Sequence, residues 1–281
     1  MIWKRILPSE GGSLRRLIRI RKEMFELSLE KRQSNSFDKP QLPMRPLTII
    51  DFKRHDDAAD ARAVSIGSKK QGWRISDDEV IGGYSRGTFT LMNDFQNTDV
   101  TNQDDSEDKR EEDNEMDMEK SDIQPFVRWQ GNIDTRVGPK SRAKRSGFCA
   151  IRCPEFPGSI PVGAKYNALE IQCRPDGRTY TFNLKVQTYF PDDLYQSLIT
   201  VQPEEIEEHK RDGFVSVVLP FRDFLLTSHG TVKSHQRSLD GGIELQHFGL
   251  TLMDGTDGPF CFDFSKIRLV NYDSVEKKII S

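Results

Sequence analysis

Long apolar runs are missing from this 281-residue chain. None approaches the roughly 20 residues that a helix needs to cross a bilayer, and none has the core of a secretory signal. Cysteine is scarce: Cys149, Cys153, Cys173 and Cys261 share no Cys-x-x-Cys spacing. They read as reduced core residues of an intracellular protein, not as a metal centre or a disulfide framework. The histidines His55, His209, His229, His235 and His247 form no metal-spaced pair, and neither a Gly-x-Ser-x-Gly elbow nor a phosphate-cradling glycine loop occurs. No catalytic constellation, cofactor or metal is therefore expected. A large charge of one sign is also lacking. The 41 basic and 44 acidic residues leave a net charge of -3, which gives no global case for nucleic-acid binding.

What is present is a strand signal. After the turn at Asp176-Gly177-Arg178, the side chains of Tyr180, Phe182, Leu184 and Val186 fall on one face and those of Thr181, Asn183, Lys185 and Gln187 on the other. This period-two pattern marks a half-buried central strand with one polar face. Further strand candidates arrive at the spacing of a sandwich: 47–52, 87–92, 126–131, 147–153, 167–174, 178–190, 197–202, 213–219, 246–253 and 259–270 with a break. The fold class is all-β, a single β-sandwich domain over 47–272, with a short helix around Asp56 to Val64 and a tail at 273–281. The paired Gly82 and Gly83 suit positive φ or close backbone approach.

Three local charge features flank or interrupt this domain. Residues 1–32 begin with a basic, acid-poor amphipathic segment: Lys4, Arg5, Arg15, Arg16, Arg19, Arg21 and Lys22 face the single acid Glu10, with Leu14, Leu17, Ile18, Phe25 and Leu29 at helical spacing. An N-terminal helix is expected, and its composition resembles a mitochondrial presequence. Residues 33–46, with Pro40, Pro43 and Pro46, read as a linker. Between 97 and 122 runs an acidic stretch, including Asp104, Asp105, Glu107, Asp108, Glu111 and Glu112, whose lack of apolar residues predicts a disordered insertion inside a hairpin. The 134–146 loop carries Arg136, Lys140, Arg142, Lys144 and Arg145. With no interleaved aromatic to stack a base, it reads as a solvated surface loop rather than a site for nucleic acid.

A series of short motifs spans Phe52 to Val270. In order they are Trp73, Ser76-Asp77, Gly82-Gly83-x-Ser85, Trp129-x-Gly131, Gly147-Phe148, Asp176-Gly177-Arg178-x-Tyr180-x-Phe182-Asn183, Pro220-Phe-x-x-Phe224, Phe248-Gly249 and Phe260-x-x-Asp263. In order and spacing this series resembles the complex I intermediate-associated protein family. Phe214 stands where family members often carry Trp, and the 97–122 insertion is longer than the family pattern. The resemblance implies a galactose-binding-like jelly roll and a non-catalytic assembly factor for mitochondrial NADH:ubiquinone oxidoreductase. Such a factor binds membrane-arm subunits and other complex I assembly factors on the matrix side, peripherally at the inner membrane. The similar jelly rolls leave a second reading open, a carbohydrate-binding module. The residues expected at a partner-binding face or in its flanking turns are Ser76, Asp77, Gly82, Gly83, Ser85, Asp176, Arg178, Asn183 and Lys185.

Overall fold

Tyr180, Phe182 and Leu184 are fully buried and Val186 is 1% exposed, while Thr181 and Lys185 between them reach the surface. The alternation therefore does set a strand with one face in the core. The computed structural model describes residues 45–54, 58, 61–62, 65–66, 72–92, 124–139, 146–156, 160–162, 166–201, 213–239 and 243–280. The expected N-terminal helix and the acidic insertion lie outside these residues. Its strands begin with β1 (Leu47–Asp51), β2 (Ser65–Ile66), β3 (Arg74–Asp77), β4 (Arg86–Met92), β5 (Phe126–Ile133), β6 (Cys149–Arg152), β7 (Ile160–Val162) and β8 (Ala168–Arg174). They continue with β9 (Tyr180–Val186), β10 (Asp193–Ile199), β11 (Val215–Pro220), β12 (Leu225–Ser228), β13 (Thr231–Val232), β14 (Ile243–Leu252), β15 (Gly258–Asp273) and β16 (Lys278–Ile280).

Two sheets result, and together they form a jelly-roll β-sandwich. A seven-stranded sheet runs β11-β8-β15-β5-β4, with β1 and β16 also paired to β15. A nine-stranded sheet runs β13-β12-β10-β9-β14-β6-β3-β2, with β7 paired to β14. β9 lies between β10 and β14, both antiparallel to it, so the strand read as central is central.

The core is aromatic. Trp73 stacks on Phe89 with ring centroids 4.7 Å apart, Phe182 stacks on Phe248 at 5.4 Å, and Tyr180 meets Phe262 at 4.6 Å. Burying rings of this size supplies most of the driving force for closing the two sheets.

Departures from the expected strands have local causes. β10 starts at Asp193, earlier than 197, because the Lys233 ammonium lies 2.9 Å from the Asp193 carboxylate and neutralises an acid that otherwise signals a turn. The break expected within 259–270 is a β-bulge between Phe264 and Lys266 on a continuous β15. The bulge changes the phase of the alternation, so Phe260, Phe262 and Phe264 are buried before it and Ile267 and Leu269 after it. Lys278–Ile280, read as tail, pairs with Asn271–Asp273.

Candidate functional site

The residues singled out from the sequence gather in three places at and beside the outer face of the nine-stranded sheet. The first is a turn between β3 and β4. Asp77 caps a one-turn 3-10 helix over Asp78–Ile81 by accepting from the Glu79 N–H at 3.2 Å, and Gly82 closes it with a left-handed φ of 84°. The carboxylate of the next residue, Asp78, is fully buried and is the hub of the turn. It accepts from the Ser85 backbone N–H and hydroxyl, both at 2.8 Å, from the Ser146 hydroxyl at 2.6 Å, and from the Gly147 and Phe148 N–H groups. Burial pushes this carboxyl's pKa up, but the hydrogen bonds from Ser146, Gly147 and Ser85 outweigh it and hold the group below its ordinary 3.8. Gly83 leaves the room for that hub, since a Cβ there would lie 2.3 Å from both Asp78 Cγ and Ser146 Oγ. Ser85, Gly82 and Gly83 are thus consumed in ordering a loop, while Ser76 remains exposed on β3.

A second cluster follows from the turn before β9. Asp176 accepts from the Arg178 N–H at 3.0 Å, the Tyr180 hydroxyl at 3.0 Å and the Cys261 N–H at 2.7 Å, joining this turn to β15. Arg178 then grips the β14–β15 connection. Its guanidinium binds both oxygens of Asp254, at 2.9 and 2.6 Å, and donates to the carbonyls of Thr256, Gly258 and Pro259. All five donors of an arginine are thereby used, and none is left for a ligand.

On the polar face of β9, Asn183 is almost buried. Its amide accepts from Gln196 Nε2 at 2.6 Å and donates to Thr251 Oγ1 at 3.0 Å, linking β10, β9 and β14. Lys185 lies on the same outward face. It bends back over the 187–192 loop and donates to the carbonyls of Phe190 at 3.3 Å, Pro191, and Asp193 at 3.1 Å. Burial draws its pKa down, and its ammonium ties the loop to β9. The rigid loop displays Tyr189, fully exposed, and Phe190, 63% exposed.

Alongside these residues the outer sheet face and the β12–β13 hairpin enclose a cleft of about 790 Å³. Thr181, Gln196, Leu198, Thr227, Thr251 and Met253 are among its lining residues. Its chemistry is that of hydroxyls and amides with a few apolar patches; Arg178 and Asp254 at one end neutralise each other, while Asp257 and His229 add a carboxylate and an imidazole. Among the described residues His229 is the one ring in the lining, with no Phe, Tyr or Trp beside it. The Cys149 thiol is pushed up to about 12 by burial, and burial likewise raises Cys173. No group of three or more His, Cys, Asp or Glu side chains able to hold a metal occurs among the described residues.

Two signals were out of reach of sequence reading. Asp78 sits beside Asp77 in a polar run, and nothing local distinguishes the buried acid from the capping one. Asp263 was noted only as a motif residue, yet it is a buried hub that pairs with Arg128 at 2.9 Å and with Arg174 on the opposite sheet's outer face.

Residues 63–264 match the protein family described as Complex I intermediate-associated protein 30. A relative from Drosophila melanogaster, "Complex I intermediate-associated protein 30, mitochondrial", is 28% identical over 160 residues, covering 52% of this chain and 49% of the relative. The chain thus spans about half the length of that relative. Among solved structures, a family 11 carbohydrate-binding module from Clostridium thermocellum, in complex with a mixed-linked tetrasaccharide, aligns with a TM-score of 0.43 at 11% identity. That alignment covers 80% of this chain and 95% of the module. The same module family from the cellulase Lic26A-Cel5E aligns at 0.42, also at 11% identity, covering 80% of this chain and 94% of that one.

Proposed function

The chain belongs to the complex I intermediate-associated protein 30 family, and from that premise we propose that it is a non-catalytic assembly factor for mitochondrial respiratory complex I. It holds membrane-arm intermediates on the matrix side, together with other assembly factors at the inner membrane, and leaves the finished enzyme. The observation that carries this reading is how the polar side chains of the turns before β4 and β9, and of β9 itself, are used. Asp78, Ser85, Asp176, Arg178 and Lys185 bind other parts of the same domain, leaving a scaffold whose exposed features include a polar cleft and an aromatic loop tip. Exposed aromatic tips beside hydrogen-bonding clefts suit protein partners, because aromatic anchors carry much of the binding energy of an interface.

A scaffold of this kind acts by binding the intermediate more tightly than the mature complex. Deleting the gene should therefore leave mitochondria short of mature complex I on blue-native gels, with membrane-arm intermediates stalled and the other respiratory complexes near normal. Re-expression of a chain lacking residues 99–120 should restore the complex. Unaltered complex I in the knockout, together with saturable binding of a β-glucan oligosaccharide by the purified protein, would replace this reading with a carbohydrate-binding one.

A further inference from the structure

The outer face of the nine-stranded sheet carries a second feature, away from the cleft. Arg74 on β3 and Arg152 on β6 are direct cross-strand partners. Arg152 in turn pairs with Gly249 on β14, and His247 follows two residues along that strand, opposite Lys185. Inward positions on these strands are taken by Ile151, Phe248 and Leu250, so Arg152, Gly249 and His247 share the outer face. Like charges placed directly opposite one another in a sheet repel. Neither Arg74 nor Arg152 makes a hydrogen bond or ion pair with a described residue, and Arg152 Nε is shielded from water without a partner. His247 Nδ1 is shielded and unpartnered as well.

The arginines of the other sheet behave differently. Arg128 and Arg174 bind Asp263, and Arg268 binds Glu170. Arg74 and Arg152 thus lack the acid partners that these three arginines of the other sheet have. The electrostatics agree with the geometry. Burial and then Arg74 lower the proton affinity of Arg152, and burial followed by Arg152, Lys185 and Arg74 draws His247 down to about 4. Glu155 is the one acid that offsets the field at Arg152, and it forms no ion pair there. At the centre of the cluster Gly249 presents bare backbone, because a Cβ would lie 2.5 Å from the Ile151 carbonyl oxygen.

We propose that Arg74, Arg152 and His247 form a binding site for the phosphate group of a ligand. A carboxylate is saturated by one guanidinium fork, whereas a phosphate has three acceptor oxygens and nearly two charges, enough to engage both arginines and the imidazole N–H. Such a ligand offsets the mutual repulsion of Arg74, Arg152 and His247 in one step. The site is separate from the assembly role, and its test does not depend on that role.

The purified full chain is titrated with inorganic phosphate at fixed ionic strength, with chloride as the compensating anion, while its melting temperature and the imidazole NMR signal of His247 are followed. The wild type should gain stability saturably, and the His247 pKa should rise from about 4 as the anion offsets its neighbours. Arg152→Gln should bind at least about tenfold more weakly, as expected for losing one charged hydrogen-bonding partner. It should nonetheless melt no lower than wild type in phosphate-free buffer, since one of two repelling charges is gone. In a parallel arm, vesicles of phosphatidylcholine with or without phosphatidic acid are sedimented with each protein. Arg152-dependent capture by phosphatidic acid without a response to free phosphate assigns a lipid headgroup, and the reverse pattern assigns a soluble phosphate compound. Equal responses of wild type and Arg152→Gln in both arms, or no response in either, overturns the proposal.

Discussion

Replacing Asp78 by Asn tests whether one buried carboxylate organises the whole β3–β4 turn. The side chain keeps its shape but exchanges an acceptor oxygen for an NH₂ group. Oδ2 accepts from the Ser85 and Ser146 hydroxyls and from the Gly147 and Phe148 backbone N–H groups. The hydroxyls can turn away, but the two backbone donors cannot. At about 1–3 kcal/mol for each buried donor left without a partner, the loss is roughly 2–6 kcal/mol. In a domain of this size that lowers the melting temperature by about 10 °C. The pH dependence gives a second readout. The folded-state pKa of Asp78 lies below its ordinary 3.8. Its stabilisation is therefore complete above about pH 4, the unfolded value, and is lost as pH falls through the folded pKa. The gap between wild type and Asp78→Asn in urea denaturation should be constant from neutral pH down to about 5 and narrow below 4. A melting temperature within about 2 °C of wild type, or a gap unchanged on acidification, would refute the role assigned to this carboxylate.

Two further outcomes follow from the site. Lys185→Gln leaves the carbonyls of Phe190, Pro191 and Asp193 without their shared cation, so amide exchange in residues 187–193 should quicken markedly while β9 and β14 stay protected; unchanged exchange there would show the loop to be held by other means. Cys149 and Cys173 should resist a thiol reagent at pH 8 in the native protein and react at once in urea, because burial holds both thiols protonated; labelling of the native chain at either residue would contradict that.

Long, strongly alternating segments were readable before the structure. β9 needed only the period of Tyr180, Phe182, Leu184 and Val186, and β8 and β14 lie within a few residues of their expected spans. Strands of two to four residues, such as β2, β3 and β13, are too short for a period to show, and register with their neighbours creates them. The candidate site was half legible. Gly83, Ser85 and Gly147 stood out as motif residues, but their common purpose is a carboxylate that lies far along the chain from Ser146 and Gly147. Lys185 was placed on the correct face, yet its destination depends on where the following loop folds back. The Arg74–Arg152 pair was invisible, because two arginines on strands distant in sequence meet only through pairing.

The bulged strand β15 also dictates when the domain can form. It is the last long strand made, yet β5 and β8 flank it and β1, from the start of the domain, pairs with its second half. The seven-stranded sheet therefore has no spine until residues 258–273 emerge, and the first strand must wait for a partner at the far end of the chain. Closure by such distant contacts is slow, since the loop entropy is lost before the pairing gain arrives. Until then β5 and β8 each keep an unpaired edge, and core side chains such as Phe89, Trp129, Leu169 and Ile171 are open to aggregation. A chain with this order of assembly needs protection during synthesis, and any truncation before Asp273 removes the strand on which the others converge.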